Sequence, residues 1–152
     1  MNGGLCIFAS GNQGSTGDIY PGCLDNVLTV GAMTAQLTPA SYTNYGSWVD
    51  VVAPGGLLDF DQSEGVLSTL PSNSYGFMEG TSMACPHVSG IAALILSKHG
   101  NANFPPSTLR TQIETSVRDF YTTNPTWVGL LGSGYVDAAR ALLSLIHISE
   151  PT

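Results

Sequence analysis

The sequence predicts an α/β fold with a mostly parallel sheet and a long helix packed against it. Three short apolar runs, at 5–10, 26–33 and 48–55, each end in small or turn-forming residues. Such runs are typical of strands buried on both faces, and the long connections between them favour parallel pairing. A longer apolar run at 82–98 has the length of a helix, so strands and helices share one layered core.

Three strands are predicted first along the chain, and a hairpin follows them. The first, "LCIFAS", ends before Gly11-Asn12, and it is followed by "NVLTVGAM" and "WVDVVAPG". Two later segments, "GVLSTL" and "YGFMEG", flank the residues "PSNS" at 71–74. That turn composition between two strand-like segments predicts a hairpin directly before the long helix.

The helix from Ser82 to Lys98 is expected to be central and buried, because apolar residues cover nearly all of its sides. These residues are Val88, Ile91, Ala92, Leu94, Ile95 and Leu96. Gly100 follows the last turn and predicts a left-handed cap there.

Two further helices complete the predicted elements. One begins at Ser107, after two prolines, and carries Leu109, Ile113 and Val117 on one face. The other begins near Asp137 in "GYVDAARALL". No repeat or low-complexity segment divides the chain, so a single domain is expected.

Composition and charge exclude some classes of partner. The 152 residues are 43% hydrophobic and 10% charged, which fits a globular domain with its own core. Four basic and eleven acidic residues give a net charge of −7. Such a chain cannot neutralise a row of phosphates, so nucleic acid is not an expected partner. No apolar run is long enough to span a bilayer.

The three cysteines, Cys6, Cys23 and Cys85, have no spacing typical of a metal site. Cys6 lies in a predicted strand and Cys85 in a predicted helix, so both are interpreted as small buried residues. A disulfide between Cys6 and Cys23 stays an open alternative, because sequence does not show whether the two sulfur atoms meet.

Ser82 is the candidate for chemistry. It opens a helix whose first N–H groups have no partner within the helix, and negative charge is stabilised at such an end. A serine there can attack a carbonyl while its own N–H holds the resulting oxyanion. On these residues alone, a simple helix cap is the competing interpretation. An α/β-hydrolase elbow is disfavoured, because it needs glycine where Ala84 stands.

The string "GTSMACPHVSG" at 80–90 resembles the nucleophile motif of the subtilisin-like serine proteases, the subtilase family. Five other blocks resemble the family in the same order, so that the resemblance covers roughly residues 5 to 142. They are "FASGNQG", "YPGCLDNVLTVGA", "SYTNYGSWVDVVAPG", "GVLSTLPSNSYGFMEG" and "GYVDAARAL". The resemblance implies a three-layer subtilisin-like α/β fold whose buried central helix starts at the nucleophile.

The resemblance also implies the roles of site residues. Ser82 would be the nucleophile, and the side-chain amide of Asn12 would be the second oxyanion donor. Substrate would be bound by residues beside these two, which are Ala9, Ser10, Gly11, Gly80 and Thr81. The family's substrates are polypeptides and its catalysis needs no cofactor. Structural calcium occurs in the family, but no convincing ligand set is present in this sequence.

A serine nucleophile also needs a base and a group that orients the base. His87 lies five residues after Ser82 on the same helix and therefore faces another direction, so it is interpreted as a structural histidine. The family's aspartate and histidine lie upstream of the asparagine loop, in contexts that this sequence lacks. We therefore expect residues 1–142 to be about the C-terminal half of a catalytic domain, inactive when alone.

The two ends carry separate expectations. No signal peptide precedes the first strand, and Met1 is interpreted as an internal methionine. Residues 143–152, "LSLIHISEPT", resemble a translated sequencing adapter and are interpreted as a non-native tail, with a natural final helix turn as the alternative. By family resemblance, the complete protein would be extracellular or attached to the cell surface, and monomeric.

Two other functions compete with the serine endopeptidase. The first is a non-catalytic, peptide-binding domain of the same fold, against which Ser82 and Asn12 both argue. The second is an acid peptidase of the sedolisin type, a family that carries aspartate in the oxyanion position. Asn12 favours subtilisin-like chemistry over that alternative.

Overall fold

A computed structural model describes residues 4–59, 61–101 and 104–143. The larger sheet has three parallel strands in the order β1-β2-β3, which are Cys6–Ala9, Val27–Met33 and Val51–Pro54. An antiparallel hairpin follows, formed by β4 (Val66–Leu70) and β5 (Ser74–Met78). The helices are α1 (Thr81–His99), α2 (Pro106–Thr115) and α3 (Ala138–Leu143), with short 3-10 helices at Gln62–Glu64 and Pro125–Trp127.

Strand β2 lies at the centre of the sheet, and all of its residues are buried. Val30 stands opposite Ala9 of β1 on one side and Val51 of β3 on the other. A strand with neighbours on both sides and covered faces favours the β-branched and small residues found here. The predicted α/β class, the parallel sheet and the hairpin are confirmed.

The helices cover one face of this sheet. Helix α1 contacts all three parallel strands, and α2 and α3 pack against it. The resulting core combines residues from the sheet and from all three helices, including Leu28, Val30, Val51, Ala53, Ala84, Val88, Ile95, Leu109, Ile113 and Ala141. A smaller cluster on the opposite face contains Met33, Val49, Val52, Phe120 and Leu131. The long helix is thereby held with its first turn beyond the carboxyl ends of the strands.

The prediction that β1 is buried on both faces is wrong. Cys6 is exposed and Phe8 is 40% exposed. Among the described residues β1 pairs only with β2, so it forms an edge of the sheet. Helix α1 likewise exposes Leu94 (48%) and Leu96 (42%), although its inner face is buried as expected.

Smaller differences concern the ends of helices. Gly100 is extended, with φ of −66° and ψ of 142°, rather than left-handed as expected. Its N–H still bonds to the carbonyl of Leu96, so the helix ends without a left-handed residue. Helix α2 ends at Thr115, before Val117, which is half-buried in the following segment.

Three further expectations concern the cysteines, membrane-spanning helices and the C-terminal tail. All three cysteines are free thiols, with Cys6 exposed and Cys23 and Cys85 half-buried, so neither the disulfide nor full burial is found. The structure describes no helix that is both long and apolar enough to cross a membrane. The proposed tail lies outside the described residues apart from Leu143, the last residue of α3.

Candidate active site

The candidate site begins at the turn that joins the hairpin to α1. Gly80 caps the helix with φ of +140° and ψ of 161°, a backbone conformation that favours glycine. Its carbonyl accepts the N–H groups of Met83 and Ala84, which closes the first helical turn. Ser82 is exposed in that turn, and no described residue accepts a hydrogen bond from its N–H. The helix therefore presents a free N–H next to the Ser82 hydroxyl.

Asn12 lies in the loop after β1 and is held by Thr81. Its Oδ1 accepts the Thr81 N–H at 2.9 Å and the Thr81 hydroxyl at 2.7 Å. The same hydroxyl accepts the N–H of Gly11 at 3.2 Å, so its single proton must go to Asn12. Thr81 is 1% exposed, so water does not compete for these hydrogen bonds at its side.

The orientation of the Asn12 amide follows from these bonds. Because Thr81 supplies two donors, the amide oxygen must face it, and the Nδ2 group points elsewhere. Nδ2 has no acceptor among the described residues, and a β-carbon built on Gly80 would lie 3.3 Å from it. Two free N–H donors thus lie close together, because the same β-carbon position on Gly80 is 3.3 Å from Asn12 Nδ2 and 3.7 Å from Ser82 N.

The three residues before Asn12 connect β1 to this turn, because the N–H of Gly11 donates to the Thr81 hydroxyl. Ala9 is half-buried at the end of β1, while Ser10 is fully buried and donates its hydroxyl to the carbonyl of Asn44 at 3.1 Å. The side chain of Ser10 therefore faces inward, and its N–H donates to the carbonyl of Val30 at 3.0 Å. At Gly11, with φ of +100°, an added β-carbon would lie 2.5 Å from Asn44 Nδ2.

Asn44 is a site residue that sequence reasoning missed. It is fully buried, and its Oδ1 accepts the N–H groups of Gln13 and Ser15 at 2.9 and 3.2 Å. Its Nδ2 donates to the carbonyl of Ser10 at 3.0 Å. These bonds hold the loop that carries Asn12. The only signal in the sequence is a polar residue next to Tyr45 in an aromatic-rich segment, which does not reveal a partner about thirty residues away.

No base is found beside the serine in the described part of the chain. His87 and Met83 line a groove of about 260 Å³ next to Ser82, together with residues of β4. However, the Nδ1 atom of His87 lies 2.8 Å from the carbonyl of Met83, and no described residue bonds to the Ser82 hydroxyl. His99 stands at the far end of the helix. The structural interpretation of His87 therefore agrees with its observed partner.

Arg110, on α2, is the centre of a hydrogen-bonded cluster beside the sheet. Its guanidinium donates to the carbonyls of Asp25 and Val27 at 3.0 and 2.8 Å. It also bonds to the carboxylates of Asp50 at 2.6 Å and Glu114 at 2.7 Å. Burial raises the pKa of Asp50, while the N–H of Thr29 and then Arg110 oppose that shift. The described ranges contain no group of three or more His, Cys, Asp or Glu side chains suited to a metal ion.

The comparisons with known proteins identify the family and the fold. The sequence model of the subtilase family, Peptidase_S8, matches residues 1–134. The chain belongs to the subtilase family. Its fold is shared with a protease from Pseudoalteromonas arctica PAMC 21717, at a TM-score of 0.81 and 37% identity, over 92% of this chain and 42% of that one. A lanthipeptide protease shares the fold at a TM-score of 0.80, with 24% identity over 93% and 50% of the two chains.

Curated relatives of this subtilase chain are longer than it is. Thermophilic serine proteinase of Bacillus sp. (strain AK1) is 46% identical over 99 residues, which are 65% of this chain and 23% of the relative. Subtilisin BL of Lederbergia lenta is 37% identical over 139 residues, or 91% of this chain and 46% of the relative. The chain thus spans less than half the length of these two relatives.

Proposed function

We propose that the complete protein is a serine endopeptidase that cleaves polypeptides through an acyl-enzyme on Ser82. The observation that carries this proposal is the pair of free N–H donors beside an exposed serine. Neither donor has an acceptor among the described residues, and the Asn12 amide is fixed by buried Thr81. Such preorganised donors stabilise charge that develops on a carbonyl oxygen during attack.

The proposed reaction has two stages. Ser82 Oγ attacks the scissile carbonyl carbon as a base removes its proton, and the carbonyl oxygen becomes negative. The Ser82 N–H and Asn12 Nδ2 stabilise that oxyanion, aided by the positive end of the helix dipole. The carbon–nitrogen bond then breaks, the amine leaves with a proton, and water hydrolyses the acyl-enzyme.

The base would come from a part of the protein that the described residues do not include. In this proposal the described residues supply the nucleophile, the oxyanion donors and one wall of the substrate site, at Ala9, Ser10 and Gly11. Gly80 would allow close approach of the substrate because it has no side chain. Catalysis by these groups would need no cofactor.

Asn12 and Ser82 also distinguish the proposed endopeptidase from the two alternative functions. A sedolisin-type acid peptidase would carry aspartate where Asn12 stands, and the amide supports the subtilisin-like proposal. A binding domain without catalysis would not require free donors beside an exposed serine. We also propose that the complete protein acts outside the cell or at its surface, as a monomer.

The test is a pair of serine variants in the full-length protein. Ser82→Ala should abolish peptide hydrolysis, with a loss of about 10⁶ in turnover, the size measured for a subtilisin. Ser89→Ala, on an exposed position of the same helix, should leave activity unchanged. Residues 1–152 alone should not react with a fluorophosphonate at Ser82, because no described residue activates the hydroxyl. Unchanged proteolysis by Ser82→Ala would overturn the proposal.

A further inference from the structure

The hydroxyl of Tyr42 joins two segments beside the nucleophile turn. Tyr42 lies in the connection between β2 and β3, and its side chain is half-buried. Its hydroxyl donates to the carbonyl of Gly56 at 2.7 Å and accepts the N–H of Gly80 at 2.9 Å. One phenol thus connects the segment after β3 to the residue that caps α1.

Two other hydrogen bonds strengthen the same junction. The N–H of Gly80 also approaches the carbonyl of Gly55 at 3.0 Å. One residue earlier, the carboxylate of Glu79 accepts the N–H of Leu58 at 2.6 Å. Both residues of the turn at 79–80 are therefore hydrogen-bonded to the segment 55–58.

There is little free space around the hydroxyl. A β-carbon built on Gly55 would lie 2.8 Å from the Tyr42 oxygen and 3.0 Å from the carbonyl oxygen of Gly80. Burial raises the pKa of Tyr42 to about 12, opposed in part by the bond from Gly80. The phenol consequently keeps its proton at neutral and moderately alkaline pH, and it both donates and accepts there.

The position of Gly80 determines where Ser82 points. Glycine at positive φ has wide conformational freedom, so its orientation must come from its partners. The first turn of α1 closes on the carbonyl of Gly80 through Met83 and Ala84. A rotation of the Gly80 peptide would therefore displace the N–H and hydroxyl of Ser82 relative to Asn12.

We propose that Tyr42 is a positioning residue that holds the nucleophile turn in its reactive orientation through the N–H of Gly80. This role rests on the proposed peptidase function. Tyr42 does not contact the reacting atoms; it acts through Gly80 on the alignment of Ser82 with Asn12. Small displacements of a reacting group lower the rate of the chemical step more than the binding of substrate.

The experiment compares Tyr42→Phe with Tyr45→Phe in the full-length protein. Tyr45 is a matched control because it is half-buried, its ring packs on Trp127 at 4.9 Å, and no described residue bonds to its hydroxyl. Tyr42→Phe should lower kcat about tenfold and leave KM within about twofold. Tyr45→Phe should change neither constant. Titration of active sites with a fluorophosphonate corrects kcat for the fraction of folded, competent protein.

An unchanged kcat for Tyr42→Phe would overturn the proposal, as would a rise in KM alone. A loss of activity that is fully explained by fewer titratable sites would also overturn it, because that result indicates a folding role only. The proposed function is judged separately, by the activity of the wild type and of Ser82→Ala.

A second measurement does not depend on activity. Amide hydrogen exchange at Gly80 and Ser82 is compared between Ser82→Ala and the double variant that adds Tyr42→Phe. Faster exchange at Gly80 in the double variant, with unchanged exchange in the core strand β2, is the expected result. Equal exchange at Gly80 would show that the bond to Gly55 alone holds the turn, and it would overturn the proposal.

Discussion

Replacement of Asn12 separates the two tasks that its side-chain amide performs. The oxygen accepts two hydrogen bonds from buried Thr81, while the Nδ2 group is the proposed oxyanion donor. Asn12→Asp keeps an oxygen acceptor for Thr81 and removes the donor. Asn12→Ala removes both. Both variants should therefore be defective in catalysis, Asn12→Asp at least as strongly as Asn12→Ala, because its carboxylate also repels the oxyanion. Their stabilities should differ.

The magnitudes follow from the contacts. Loss of one oxyanion donor lowers kcat by about 10²–10³, a range that was itself measured on a subtilisin asparagine. This corresponds to about 3–4 kcal/mol of transition-state stabilisation. Asn12→Ala also leaves the N–H and hydroxyl of Thr81 without their acceptor, at about 1–3 kcal/mol for each buried donor. Its unfolding free energy should fall by about 2–4 kcal/mol after partial hydration of the space.

The assay combines steady-state kinetics with chemical unfolding of the full-length variants. Both variants should show reduced kcat with little change in KM, because the amide meets charge only in the transition state. Only Asn12→Ala should also unfold at a lower denaturant concentration. If Asn12→Asp kept a kcat within tenfold of the wild type, the assignment of Nδ2 as a donor would be refuted. Equal unfolding of the two variants would refute the assigned role of the amide oxygen.

Two other predictions concern stability. Arg110→Met should lower the unfolding free energy of the full-length protein by about 2 kcal/mol, because it removes four hydrogen bonds from a partly buried cluster and leaves Asp50 without its cation. Arg118→Met should change it much less, because the Arg118 side chain is 52% exposed and makes a single ion pair among the described residues, and equal losses in chemical unfolding would contradict the importance of the cluster. The second prediction follows from the pKa of Tyr42, which is about 12 when the protein is folded and about 10 when it is unfolded. The unfolded state therefore loses this proton first, so that the stabilisation is complete below pH 10 and is lost as the pH rises towards 12. Tyr42→Phe should therefore lose less unfolding free energy than the wild type as the pH rises from 10 towards 12. Equal pH dependence of unfolding in the wild type and in Tyr42→Phe would contradict this prediction.

Local sequence patterns predicted where strands and helices form, but they did not predict which side chains on them are exposed. The strand β2, the hairpin and the start of α1 next to Ser82 were all predicted, because apolar runs and turn residues act within a few positions. The burial of Phe8 and Leu94 was predicted incorrectly. An apolar side chain shows that a face can be covered, but coverage depends on a neighbour that a local pattern does not contain.

The sequence by itself determined the class of fold, the family resemblance and the choice of Ser82 and Asn12 as candidate site residues, because those follow from residue order along the chain. The tertiary structure decided what each group can do. It oriented the Asn12 amide through Thr81, 69 residues away, and it brought the Tyr42 hydroxyl to Gly80 across 38 residues. Hydrogen bonds over such separations depend on how β1, α1 and the loop after β2 pack, and that packing is a property of the whole core.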